Sequence, residues 1–336
     1  MTNKEITNAY YGTDQVDRLY LGQDLVWERF VPYNLQYLTI ESITGGTFTI
    51  NNSGIDYRIN NGTWETTTGS TALSLNAEDK VSFRSTGSTG NGAFKNNRTN
   101  NSGLFKVYGN VESMEYGDNF AGATACTATD AFKNMFNYCT SLVDSENLIL
   151  PALVLSGDTC YTSMFKDCSN MTTAPVISVQ RVYGASACTQ MFASCSSLAT
   201  APTISATRLS SNCFAGMFSY CTSLTTAPNL PATNLAGGCY YRMYSGCTSL
   251  ETAPALPAPT VLSLCYKEMF KGCTNLNYIK CLATNMQSDS TMYWVQDVQE
   301  ITGTFVKDPS VQVGSGHFWP IGIGGVPNNW TVQDAT

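Results

Sequence analysis

Charge is scarce in this chain. Asp, Glu, Lys and Arg make up 13% of its 336 residues, about half the usual share. Lys and Arg number 18 against 25 acids, giving a net charge of −7 and no basic run. Proteins that neutralise nucleic-acid phosphates need clustered cations, so a nucleic-acid partner is not expected. No stretch of about 18 apolar residues occurs, so membrane insertion is not expected either. The N-terminus, MTNKEITNAYYG, lacks the apolar core of a signal peptide. The chain is therefore expected to be made in a cytosol and kept there until assembly or lysis.

Chemistry-bearing motifs are also missing. No G-x-G-x-x-G or G-x4-G-K-[ST] loop is present to cradle a phosphate, so no cofactor is expected. His317 is the sole histidine and has no G-x-S-x-G elbow with it, which argues against a nucleophile–base–acid system. Asp167, Glu251 and Glu268 fall at unmatched places in the repeats. They give no reason to expect a carboxylate pair for glycoside hydrolysis.

Cysteine is abundant, thirteen residues, and it is periodic. Cys139, Cys168, Cys195, Cys221, Cys247 and Cys273 recur at intervals of 29, 27, 26, 26 and 26. Cys160, Cys188, Cys213, Cys239 and Cys265 form a second series. Zinc sites usually bring C-x2–4-C spacings, and C-x2-C is absent. Equivalent cysteines in stacked units would lie about 5 Å apart, within reach of a disulfide. A thiol is also a small hydrophobe suited to a tight interior, and buried reduced thiols are the expectation.

The two most regular units span Cys213–Leu250 and follow C-x3-M-[FY]-x2-C-x-S-L. Cys239, Met243 and Cys247 stand at i, i+4 and i+8, which predicts one face of a short helix. The segment after Leu250, ETAPALPAP, holds too many prolines for helix and reads as extended. One such unit cannot bury its apolar face, but stacked units bury a continuous core. Tyr138, Tyr161, Tyr220, Tyr240, Tyr241 and Tyr266 are expected on or beside the helices, off the Cys/Met face, as candidate surface contacts. The alternative for these rings is packing between units.

Upstream, residues 31–120 carry short β-branched or aromatic runs at Tyr37–Ile43, Thr47–Asn51, Ile55–Ile59, Leu73–Leu75, Lys80–Arg84 and Leu104–Tyr108. Gly and Asn turns separate them, which predicts a β-sandwich-like domain. Residues 1–30 alternate apolar and polar around Gly and Asp turns, and are too short to bury a core. After Cys281 the pattern stops, and 286–336 is expected to cap the solenoid with Trp319, Pro320 and Trp330.

Two resemblances give these segments a setting. M-F-x2-C-x-S-L followed by an A-P or L-P segment, over residues 130–285, resembles the BspA-like leucine-rich-repeat surface proteins with 26-residue repeats. LYLGQDLVWE, at residues 19–28, is similar to a short N-terminal module of structural proteins in tailed phages that infect gut Bacteroidetes. The resemblances imply a multi-domain α+β chain: an attachment segment (1–30), the β-sandwich-like domain (31–120), a leucine-rich-repeat solenoid (121–285) and a cap (286–336). They imply a non-enzymatic virion component, a head or tail fibre or a capsid decoration. Tyr20, Leu21, Leu25 and Trp27 would attach it to other virion proteins. The solenoid would face a host-surface glycan or protein, and the chain would form a homo-oligomer, a trimer being favoured. A bacterial surface adhesin and a fibre-borne glycan depolymerase are the alternatives.

Overall fold

The structure, a computed structural model, describes residues 9–11, 14–16, 18–21, 24–28, 33–85, 87, 90–95, 101–299 and 302–336. It is almost all β, 4% helical and 25% strand, and is built around a β-solenoid of about 8 turns. This corrects the expectation of an α+β chain with a separate β-sandwich.

The N-terminal stretch forms two hairpins. Ala9–Tyr11 pairs with Asp14–Val16, and Arg18–Leu21 pairs with Asp24–Glu28. From residue 33 on, all six expected strands form, at Leu38–Ser42, Gly46–Ile50, Asp56–Ile59, Thr71–Leu75, Lys80–Arg84 and Phe105–Asn110. Their pairing is what the sequence did not disclose. Phe105–Asn110 lies antiparallel to Leu38–Ser42 on one side. On the other it lies parallel to Leu142–Asp144 and Leu148–Leu150, which belong to the solenoid. One eight-stranded sheet thus runs from Val176–Ile177 through Phe105–Asn110 to Glu65–Thr66. The upstream strands close the first coil instead of forming a free sandwich. Their core rings (Phe48, Phe83, Phe94 and Phe105) are buried and in mutual contact, and Phe94 lies 5.3 Å from Phe136 of the first repeat.

Within each repeat the Cys/Met segment is not a helix. A residue with φ near +60° recurs every four positions: Asp130, Asn134 and Tyr138, then Thr159, Ser163 and Asp167, then Ser186, Gln190 and Ser194. A left-handed residue at that interval breaks an α-helix and closes successive tight turns instead. Backbone N–H groups alternate in partner. Met243 and Cys247 donate to the carbonyls three residues back, on Tyr240 and Tyr244, while Arg242 and Tyr244 donate to Lys267 and Met269 one coil on. Left-handed non-glycine residues cost about 1–2 kcal/mol each, and these inter-coil bonds offset that cost. Cys239, Met243, Cys247 and Leu250 do share one buried face, as do Tyr240 and Tyr244. The four-residue turn explains that face without a helix.

The coil outlasts its sequence motif. Tyr278–Cys281, Thr304–Lys307 and Thr331–Asp334 stack in parallel register at intervals of 26 and 27 residues. Trp294 occupies the place of the repeat methionine, since Phe270 N–H donates to its carbonyl as Phe218 N–H donates to that of Met243. Its indole stacks on Trp319 at 5.3 Å and donates from Nε1 to the Gly325 carbonyl at 2.7 Å. Trp319 and Trp330 are buried in the same continuous core.

Candidate interaction faces

The interior explains the cysteines. All thirteen are free and buried. In the first series each thiol after Cys139 donates back to the preceding coil: Cys168 to the Phe136 carbonyl, Cys195 to Phe165, Cys221 to Phe192, Cys247 to Phe218 and Cys273 to Tyr244, at 3.0–3.1 Å. Each of those carbonyls also accepts the N–H three residues on, as Phe192 does from Cys195. Cysteine is thus a packing group that also carries a weak donor, aimed at a carbonyl lone pair that would otherwise lack a partner. Burial pushes these thiols up, to about 12 at Cys221 and Cys273, so they stay protonated and unreactive. In the second series Cys239 and Cys265 bring their Sγ atoms to 3.7 Å, a contact between thiols and not the roughly 2.05 Å of a bond. No group of three His, Cys, Asp or Glu side chains converges among the described residues, and His317 is exposed on the last coils.

The aromatic residues form two internal ladders. Phe136, Phe165, Phe192, Phe218, Tyr244 and Phe270 stack at 5.3–5.8 Å with interplanar angles of 2–8°. The second ladder contains Phe132 and Tyr161, then Phe214, Tyr240 and Tyr266, ending on Trp294. Cys188 interrupts it. Register places Cys188 at the aromatic position and Ala187 at the cysteine position, because Tyr161 N–H donates to Ala187 and Cys188 N–H donates to Cys213. The irregular intervals of 28 and 25 around Cys188 record this one-residue shift.

Three of the six expected surface tyrosines therefore have to be corrected. Tyr161, Tyr240 and Tyr266 are ladder rings, fully buried and shut off from any ligand. They follow the repeat cysteine directly, and in a four-residue turn that position faces inward alongside it. Tyr138 and Tyr241 are half-buried on the outer side of the turns, and Tyr220 is 61% exposed. The Tyr220 ring lies over Gly246 of the next coil. A Cβ there would come within 2.6 Å of the ring, and Gly246 has φ +78°. Beside it Arg242 stacks over Tyr241 at 5.0 Å and pairs with Glu268 at 2.7 Å. Lys271 stands 3.8 Å from the same carboxylate. Of the expected attachment residues, Tyr20 is opposite Leu25 and Leu21 opposite Asp24 in the second hairpin, with Trp27 opposite Leu19. Their side chains lie outside the described residues.

Two further surfaces were not anticipated. A groove of about 450 Å³ opens at the C-terminal end, lined by Met286, Met292, Tyr293, Phe318, Pro320 and Ile323 among others. On the extended side of the coils, Arg181 and Arg208 are exposed one above the other, with Tyr183 beside them. A signal for the second surface exists in the sequence. Residues 168–250 contain no Asp, Glu or Lys, so the middle coils are the one long stretch without an acid.

No protein-family model, curated protein or solved structure matches the chain. No helix among the described residues is long and apolar enough to cross a membrane.

Proposed function

We propose that this chain is a non-catalytic structural and binding protein of a phage particle, a fibre or a capsid decoration. Its N-terminal hairpins attach it to other virion proteins, and its solenoid presents side faces to the host surface or to virion neighbours. The observation that carries the binding part of this reading is the division of labour within each coil. Cys, Met and aromatic side chains are spent on a continuous interior. The outer positions vary from coil to coil over the same backbone, Lys133, Thr162, Thr189, Tyr241 and Lys267 being equivalent. A constant frame with variable outward positions suits recognition. The virion setting rests on the resemblance of LYLGQDLVWE to phage modules, and the BspA-like resemblance of the repeats fits the same use. Such proteins act as symmetric oligomers, and a homotrimer is our expectation.

Mass spectrometry of purified particles from a host carrying the gene tests the setting. The chain should copurify with capsid or tail proteins, and its absence would sink the virion reading. Deleting residues 1–32 should leave a folded, soluble chain that no longer joins the particle. Multi-angle light scattering of the full chain checks the trimer.

A further inference from the structure

Arg181 and Arg208 are an unusual pair. They are direct cross-coil partners in a parallel ladder, with Arg181 also opposite Val154. Neighbouring strands lie about 4.8 Å apart, and like charges set directly opposite each other destabilise a sheet. Neither guanidinium forms an ion pair with a carboxylate among the described residues, and Arg242, the remaining cation of residues 168–250, is taken by Glu268. A stretch of net charge +3 thus sits inside a chain of net charge −7. Its two unpaired charges are held in register by the solenoid and both are exposed.

The surroundings narrow what could neutralise them. Tyr183 is 52% exposed, and its ring lies 5.9 Å from the Arg208 guanidinium. Gln180 and Thr207, exposed and next to the arginines, offer uncharged hydrogen-bonding groups. An open aromatic face beside neutral amide and hydroxyl groups suits a sugar ring, while paired guanidiniums suit a carboxylate. A peptide adding a strand has no edge here, because the Arg181 strand is flanked on both sides by Val154–Leu155 and by Arg208. A nucleic acid would meet two free cations on an acidic chain, too few for the phosphate contacts it needs.

We propose that Arg181, Arg208 and Tyr183 form a binding site for a carboxylated polysaccharide, the arginines taking a carboxylate and Tyr183 the face of a sugar ring. The site rests on reading the solenoid as a binding surface and not on its virion setting.

Isothermal titration of the full chain with an oligogalacturonate tests this. Binding should be measurable and should weaken as salt rises. Arg181→Ala with Arg208→Ala should weaken it at least tenfold, and Tyr183→Ala at least threefold, with unchanged circular dichroism. Lys267→Ala removes one positive charge from the turn side and should leave affinity within twofold. A neutral dextran oligosaccharide should not bind. Absence of oligogalacturonate binding overturns the proposal. So does an equal loss in Lys267→Ala, which would mean nonspecific charge attraction, or tighter binding of polyglutamate, which would mean an acidic protein partner. Any of these results leaves the particle assignment to mass spectrometry, and absence of the chain from particles leaves this site standing.

Discussion

Glu112 gives the sharpest test of the energetics, because it is a carboxyl group placed where no charge belongs. It sits at the start of the short Ser113–Tyr116 helix, next to the strand that joins the upstream sheet to the solenoid. It is fully buried, and neither carboxyl oxygen has a hydrogen-bond partner. Burial, with a smaller contribution from the nearby Glu115, pushes its pKa from the ordinary 4.5 up to about 8. In the unfolded chain the group ionises above 4.5, while in the folded protein it stays neutral until about 8. Between those values the unfolded state binds fewer protons, so stability falls as pH rises, and it levels off above about 8. At about 1.4 kcal/mol per pH unit the penalty at pH 7 is roughly 3 kcal/mol. Glu112→Gln removes the ionisation and keeps the shape, and Glu112→Met also removes the unpartnered oxygens. Denaturant unfolding at pH values from 5 to 9 reads the effect. The wild type should lose stability across this range more steeply than either variant, and the variants should be more stable than wild type at pH 8. The raised pKa of Glu115, also due to burial, leaves a shallower slope of the same sign in both variants. Parallel profiles for wild type and Glu112→Gln would refute the reasoning, because they would mean that Glu112 is solvated or paired when ionised.

The remaining predictions concern the coils. Native protein should resist a thiol reagent such as Ellman's, while the unfolded chain should release thirteen equivalents, since every cysteine is buried. Phe192→Ala, in the middle of the first aromatic ladder, should cost about 3–5 kcal/mol in denaturant unfolding. Gly246→Ala should lower the melting temperature in the wild type, from both its positive φ and the 2.6 Å approach to Tyr220. In a Tyr220→Ala background only the backbone part, about 1 kcal/mol or slightly more, should remain.

Much of the interior could be read from residue order. A 26-residue interval of cysteines marks stacked units, and the inward set of Cys, Met and Leu follows from it. The helix did not follow, because i, i+4 and i+8 fit two geometries. On a helix of 3.6 residues per turn those positions drift about 40° at each step, whereas a four-residue turn has no drift. The distinguishing clue is local: Asp130 and Asn134, Asn212 and Gly216, and Gly238 and Gly246 recur where a left-handed residue is required. That clue would also have placed Tyr161, Tyr240 and Tyr266 inside, each directly after an inward residue of the turn. Strand positions between residues 33 and 110 were legible from β-branched runs and turns. The parallel pairing of Phe105–Asn110 with the solenoid was not, since no local pattern encodes a partner some forty residues downstream. Arg181 and Arg208 carry no mark in the sequence as a pair, because neither belongs to the repeat motif and only the coil register brings them together.

The two ends of this solenoid are unlike, and that gives its unfolding a direction. At the N-terminal end the first coil is stitched into a sheet whose next strand, Leu38–Ser42, runs antiparallel and carries its own buried core. At the C-terminal end the last strand, Thr331–Asp334, is exposed at all four residues and has a neighbour on one side only. In a chain where each coil is held mainly by its neighbours, opening starts where a neighbour is missing. Amide exchange should therefore advance coil by coil from Asp334 toward Phe105, like a zipper with a single free end. Under load or heat the coils that carry Arg181 and Arg208 would be among the later ones lost.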